Sequence, residues 1–118
     1  MKPDEYLLWN QKKLQLLVAL SVDDLTYMEI MKIMQFSRTE VQYYLDNLSK
    51  AGYIESYKME LKTQKRAKNR IKENTVFKNT DVGKDMLRQC IEHINNMIPN
   101  TKKSVLKLRE ENNRWKNY

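Results

Sequence analysis

Arg38, Thr39, Gln42 and Tyr43 are the residues of this chain best suited to reading a surface of hydrogen-bond donors and acceptors. They lie in SRTEVQYYLDNLSKAGYIES (residues 37–56), opposite a stripe of Val41, Tyr44, Leu45 and Leu48 at i, i+3, i+4 and i+7. A guanidinium at Arg38 can grip a phosphate, or the O6/N7 edge of guanine, through two parallel bonds. The amide of Gln42 can donate and accept at an adenine edge. Thr39 and Tyr43 can bond phosphate oxygens or pack against a thymine methyl. Ser37, placed to cap the helix, leaves amide donors at an anion-friendly helix start. Asp46 shares this side and would be repelled by phosphate, so Asn47 and Lys50 fall at the margin. A face that is merely solvated would be richer in Glu and Lys.

A second constellation follows directly. KTQKRAKNRIK (residues 62–72) has six basic residues and no acidic one: Lys62, Lys65, Arg66, Lys68, Arg70 and Lys72. So many like charges repel one another unless a polyanion takes them up, along phosphates or in a narrow minor groove. The net charge of +7 is unevenly spread. Residues 1–57 carry six basic against eight acidic residues, whereas residues 58–118 carry sixteen against seven. That asymmetry is expected of a nucleic-acid-binding surface.

The elements that position these residues can be read from periodicity and caps. Asp4 to Leu20 predicts a first helix, apolar over so much of its circumference that it suggests contact with a second subunit. VDDL (22–25) breaks the pattern. Thr26 and Glu29 then have capping-box spacing, followed by Met28, Ile30, Met31, Ile33 and Met34, which read as core packing. Ser37 and Glu40 repeat the box after a short connection at Gln35-Phe36. Two capped helices separated by so short a turn are the signature of a helix-turn-helix. Gly52 suits the left-handed residue that ends the third helix. Beyond it the period changes to two: Tyr57, Met59 and Leu61 alternate with Lys58, Glu60 and Lys62, as in a half-buried strand. Val76 and Phe77 lie on a return strand, which makes the basic stretch the connection of a long hairpin. Thr80 can cap a fourth helix from about Asp81 to Ile98, with apolar stripes at Leu87, Ile91, Ile94 and Ile98 and at Met86, Cys90 and Met97. Pro99 is expected to end it. Thr101 to about Trp115 predicts a weaker fifth helix with Val105, Leu108 and Trp115 on one side.

Helix, helix, turn, helix, basic hairpin, helix is the order of a winged helix-turn-helix. Residues 25–87 resemble the DNA-binding core of bacterial and archaeal regulators of the MarR, ArsR and PadR type. The resemblance is carried by LDNLSKAGYIES, similar to their recognition-helix exit, and by TDVGKDML (80–87), similar to their Thr-x-x-Gly helix start after the wing. The fold it implies is mainly α with a small β-hairpin, a single winged-helix domain over 1–118. Residues 4–20 would form a flanking helix, 25–80 the helix-turn-helix plus wing, and 81–117 C-terminal helices used for dimerisation. It also implies that the helix from Arg38 enters the major groove N-terminus first, in a homodimer joined through the N-terminal and C-terminal helices. The cysteine motif of metal-sensing ArsR regulators is missing from the third helix, as is the Asp-x-Arg wing tip of many MarR proteins.

An enzyme is not expected. His93 and Cys90, three residues apart, could supply two metal ligands, but no further His/Cys cluster completes a site. No phosphate-binding Gly-rich loop or nucleophile motif appears, and no cofactor is called for. No apolar run is long enough for a membrane span, the N-terminus is unlike a secretory signal, and one cysteine fits a cytoplasmic, reducing compartment. Three roles are compatible with the residues: a dimeric transcriptional regulator of double-stranded DNA, most simply a repressor; a plasmid or viral centromere- or origin-binding protein; and a winged-helix adaptor between proteins.

Overall fold

The computed structural model describes residues 10–62 and 71–112. The first helix, α1 (Gln11–Val22), is capped by Asn10, whose side chain accepts from the Lys13 amide at 2.9 Å. Residues 4–9 of the expected first helix lie outside the described residues. The apolar girth of α1 is real: Leu14, Leu16, Leu17, Val18, Ala19 and Leu20 are all buried. The chain itself covers them, because α1 runs through the middle of the core. For Gln11–Val22, apolarity on several sides therefore reflects a central helix and not a subunit contact.

Leu25–Thr26 forms a two-residue strand, β1, which the sequence reading missed because so short a strand has no period to detect. Thr26 also caps α2 (Tyr27–Met34), with the reciprocal Thr26–Glu29 capping box in place. In α2, Ile30 and Met34 are buried as expected of core residues, whereas Met28 is 72% exposed. Met28 falls on the turn's outer side, three residues before a half-buried Met31. The helix ends at Gln35, which takes a left-handed conformation at φ 58° without being glycine. That backbone costs an L-residue about 1 kcal/mol, so Gln35→Gly is expected to raise stability by several tenths of a kcal/mol in urea denaturation.

The third helix, α3 (Arg38–Lys50), opens with the Ser37–Glu40 box and buries Val41, Tyr44, Leu45 and Leu48. Its end is a Schellman arrangement: Gly52 stands at φ 81°, with Gly52 N to Ser49 O and Tyr53 N to Leu48 O both 3.0 Å. β2 (Ile54–Lys62) and β3 (Ile71–Asn79) then pair antiparallel, from Ile54↔Asn79 to Lys62↔Ile71. The strand thus begins three residues earlier than its alternation suggested, since Tyr53 and Ile54 are both buried at its foot. Leu25 and Thr26 add to the other edge of β3 opposite Phe77 and Val76, giving the sheet order β1-β3-β2.

The expected helix over 81–98 is broken. α4 (Asp81–Gln89) stops at Cys90, and a single turn, α5 (Ile91–Ile94), follows. Met86, Leu87, Cys90 and Ile94 are buried, and Ile91 is left 48% exposed. Pro99 does not end a helix but stands in the first turn of α6 (Ile98–Asn112), where a missing N–H costs nothing. Nor is α6 weak. Thr101, Val105 and Leu108 are buried, and the helix packs on α1 and α2. Trp115 lies outside the described residues.

Arg109 on α6 fastens these layers together. Its Nε donates to Asp23 Oδ2 at 2.6 Å, Nη2 to the Asp24 carbonyl at 2.6 Å, and Nη1 to Glu29. Burial works against the Arg109 charge, but the bonds to Glu29 and Asp23 hold its pKa above the ordinary arginine value. Tyr57 on β2 joins the cluster by donating to Asp24 Oδ2 at 2.7 Å, and burial together with that bond pushes its phenol up to about 12. The acidic pair that appears in sequence only as a helix break is thus a tie between α1, α2, the wing strand and the C-terminal helix. No described helix is long and apolar enough to cross a membrane.

Candidate nucleic-acid interface

The outer face of α3 is built from its capped start. Ser37 Oγ accepts from the Glu40 amide at 3.2 Å, and Glu40 Oε1 accepts from the Ser37 amide at 3.1 Å. The second oxygen of Glu40 meets Lys12 Nζ at 2.6 Å, and the same ammonium stands 5.4 Å from the centre of the Phe36 ring. The bond to Lys12 holds the Glu40 carboxyl below the usual carboxylate range, and reciprocally raises Lys12. Both groups are open to water, so the pair contributes little to stability. Its effect is geometric: α1 holds the first turn of α3 by its cap residue.

A second tether comes from Tyr27, whose hydroxyl donates to the Arg38 carbonyl at 2.8 Å. Ser37, Arg38, Thr39, Gln42, Tyr43 and Lys50 are all exposed, and Tyr43 is 59% exposed despite its ring. Tyr43 stands edge-on to the buried Tyr44, with ring centroids 5.8 Å apart. Arg38, Thr39, Gln42 and Tyr43 therefore share one surface, as their spacing predicts, and Tyr27 and Asp46 join them around a shallow hollow of about 370 Å³. Asn47 behaves differently. Its amide donates to the Tyr43 carbonyl at 2.7 Å and is half-buried, turned back on its own helix.

Sequence reasoning did not assign Tyr27 to this surface. The available signal was its position immediately after the Thr26 cap, which puts it in the first turn of the helix preceding α3. A larger hollow, of about 600 Å³, lies between the end of α1 and the start of α4. Asp23, Asp24, Glu55 and Asp81 line it against Lys78 and Lys84, a net acidic lining that does not suit a polyanion.

The wing stands next to α3 through its strands. Lys62 and Lys72 belong to the paired segments, opposite Ile71 and Leu61 respectively. Lys65, Arg66, Lys68 and Arg70 lie outside the described residues. Lower on the hairpin, Lys58 donates to Thr75 Oγ1 at 2.7 Å, and Lys78 lies 3.4 Å from Glu55. Of the candidate metal pair, Cys90 is fully buried at the helix break and His93 is exposed.

Thr80 and Gly83 explain why a Thr-x-x-Gly start follows the wing. Thr80 Oγ1 accepts from the Gly83 amide at 3.0 Å and donates to the Gly52 carbonyl at 2.7 Å, while its own amide donates to Tyr53 O at 3.0 Å. One threonine thus caps α4 and anchors it against the end of α3.

Residues 10–56 match the family model described as bacterial regulatory protein, arsR family. The match runs from the cap of α1 to the third residue of β2. No curated protein and no solved structure matches the chain.

Proposed function

We propose that the protein, whose residues 10–56 match the arsR-family regulator model, reads a specific double-stranded DNA site as a two-fold dimer and represses transcription by occluding promoter DNA. The observation that carries this reading is the exposed surface of Arg38, Thr39, Gln42 and Tyr43 at the capped end of α3, directly before a hairpin whose connection is basic. In this reading α3 lies in the major groove. Arg38 grips guanine or phosphate, Gln42 reads adenine, and Ser37, Thr39 and Tyr43 hold the backbone. Lys50 touches phosphate at the rim, whereas Asn47 acts by fixing the Tyr43 backbone. Lys62, Lys65, Arg66, Lys68, Arg70 and Lys72 lie along flanking phosphates.

The reading head is residues 25–80, and the dimer contact falls to the C-terminal helices within 81–117. Exposed Ile91 and Leu106 on α5 and α6 support this division, since single-chain packing leaves them uncovered. The protein acts in the cytoplasm, where its DNA is.

Selection of binding sites from a random duplex library at two salt concentrations tests the proposal. The expected result is a palindromic motif that survives the higher salt. With about four wing charges engaged per subunit, the log–log salt slope should lie near −7, from about eight neutralised phosphates. Gln42→Ala should relax base preference at one position of each half-site, and reversing charges in 62–72 should weaken binding to every sequence. Recovery of only sequence-blind binding would remove base reading from α3. Binding unaffected by wing charge reversal would favour the adaptor role instead.

A further inference from the structure

Arg38, Gln42 and Asp46 follow one another at i, i+4 and i+8, so they form a single row along the outer face of α3. All three line the same hollow, with Tyr27 and Tyr43. The row is graded, with a donor-only guanidinium at the start, an amide in the middle and an acceptor-only carboxylate at the end. Gln42 Nε2 donates to Asp46 Oδ1 at 3.4 Å. That contact is long, but it points the amide nitrogen of Gln42 toward Asp46. The second Asp46 oxygen is an acceptor that this contact does not use.

A carboxylate in this place opposes the polyanion that the rest of the surface attracts. It therefore costs affinity for any DNA, whatever its sequence. Such a cost is offset only where a donor meets the carboxylate. In the major groove the donors are the exocyclic amino groups of cytosine N4 and adenine N6, whereas guanine and thymine present acceptors alone. Resting on the DNA-reading role of α3 proposed above, we infer that Asp46 is a specificity-determining residue. Beside Gln42, its carboxylate accepts the one amino hydrogen that base pairing leaves free, and so selects an amino-bearing base, cytosine or adenine, over guanine and thymine at one position of each half-site. Arg38 stands about 12 Å away along the helix axis, at 1.5 Å per residue, so it addresses a different base pair.

The test compares the wild-type protein with Asp46→Ala, Asp46→Asn and Gln42→Ala by fluorescence anisotropy. Each binds the selected duplex, its single-base variants at every half-site position, and a scrambled duplex. Asp46 is exposed, and alanine favours helix, so Asp46→Ala should fold; circular dichroism checks this. The inference expects Asp46→Ala to move two readings in opposite directions. Preference for cytosine or adenine at one position should fall about tenfold, while affinity for the scrambled duplex rises severalfold. Asp46→Asn, which keeps an acceptor without the charge, should retain part of the preference and show the same rise. If Gln42→Ala alters a base preference and Asp46→Ala leaves all of them intact, this inference is overturned and the reading role of α3 stands. If neither substitution changes any preference, both are overturned.

Discussion

Arg109→Leu is expected to lower unfolding free energy by about 3 kcal/mol, the largest loss from any single side chain of the C-terminal helix. The reason is what the arginine leaves behind. Glu29 is 3% exposed, and its carboxylate is compensated by Arg109 as well as by the Thr26 amide of its own capping box. Removing one partner of a buried ion pair costs about 3–5 kcal/mol, because the other charge stays in a poorly solvated place. The lower end applies here, since Asp23 is nearly half exposed and can recover water. A double-mutant cycle with Glu29→Gln separates this from lost packing. Glutamine keeps an acceptor for the Thr26 amide and removes the charge, so the double variant should be more stable than the sum of the single losses predicts, by at least about 1 kcal/mol. Urea unfolding monitored by circular dichroism gives all four stabilities. Strict additivity would mean that Arg109 acts through its aliphatic stem and not as the counter-ion of Glu29. The prediction also bears on binding, because the N-terminal turn of α2 that Glu29 anchors carries Tyr27, and Tyr27 holds the start of α3.

This cluster marks where the sequence stopped being legible. Both capping boxes, the apolar stripe of α3 and the left-handed Gly52 depend on neighbours within a few residues, and each stands where its spacing put it. That Arg38, Thr39, Gln42 and Tyr43 share one exposed face was legible for the same reason: a helix of known phase fixes which side chains lie together. Asp23 and Asp24 could be read only as a break, because the arginine that uses them is 86 and 85 residues away. The helix break at Cys90 was hidden by a similar limit. Two adjacent apolar stripes read as one continuous helix, and no glycine or proline beside Cys90 marks the turn there. Pro99 was ambiguous in another way. Proline stops a helix that precedes it and starts one that follows, and only the burial of Thr101, Val105 and Leu108 decides between the two. Asn47 shows the limit at the interface itself, since an amide at the right phase can still turn back to its own backbone.

Gly83→Ala is expected to destabilise the protein by about 2–3 kcal/mol, although the same change in an open helix would stabilise it by about 1 kcal/mol. A Cβ at Gly83 would stand 2.0 Å from Asn79 Oδ1 and 2.2 Å from the Tyr53 carbonyl oxygen. The Asn79 amide can swing aside, but Tyr53 O is backbone and already accepts from the Thr80 amide. To admit one methyl, α4 must lift off the strand that continues from α3, and the Thr80 bonds to Tyr53 O and Gly52 O must stretch with it. The companion substitution at Gly52 isolates the steric cause. A Cβ there meets nothing within 4 Å, but φ is 81°, so Gly52→Ala should cost about 1–2 kcal/mol from backbone conformation alone. Thermal unfolding should therefore rank wild type above Gly52→Ala and Gly52→Ala above Gly83→Ala. If Gly83→Ala were neutral or stabilising, the close approach of α4 to Tyr53 would not hold in solution. The Thr-x-x-Gly start would then be explained by capping alone, and the glycine would be free to vary. If the expected order is found, the wing and α3 share one rigid joint, made of a threonine that caps and a glycine that makes room.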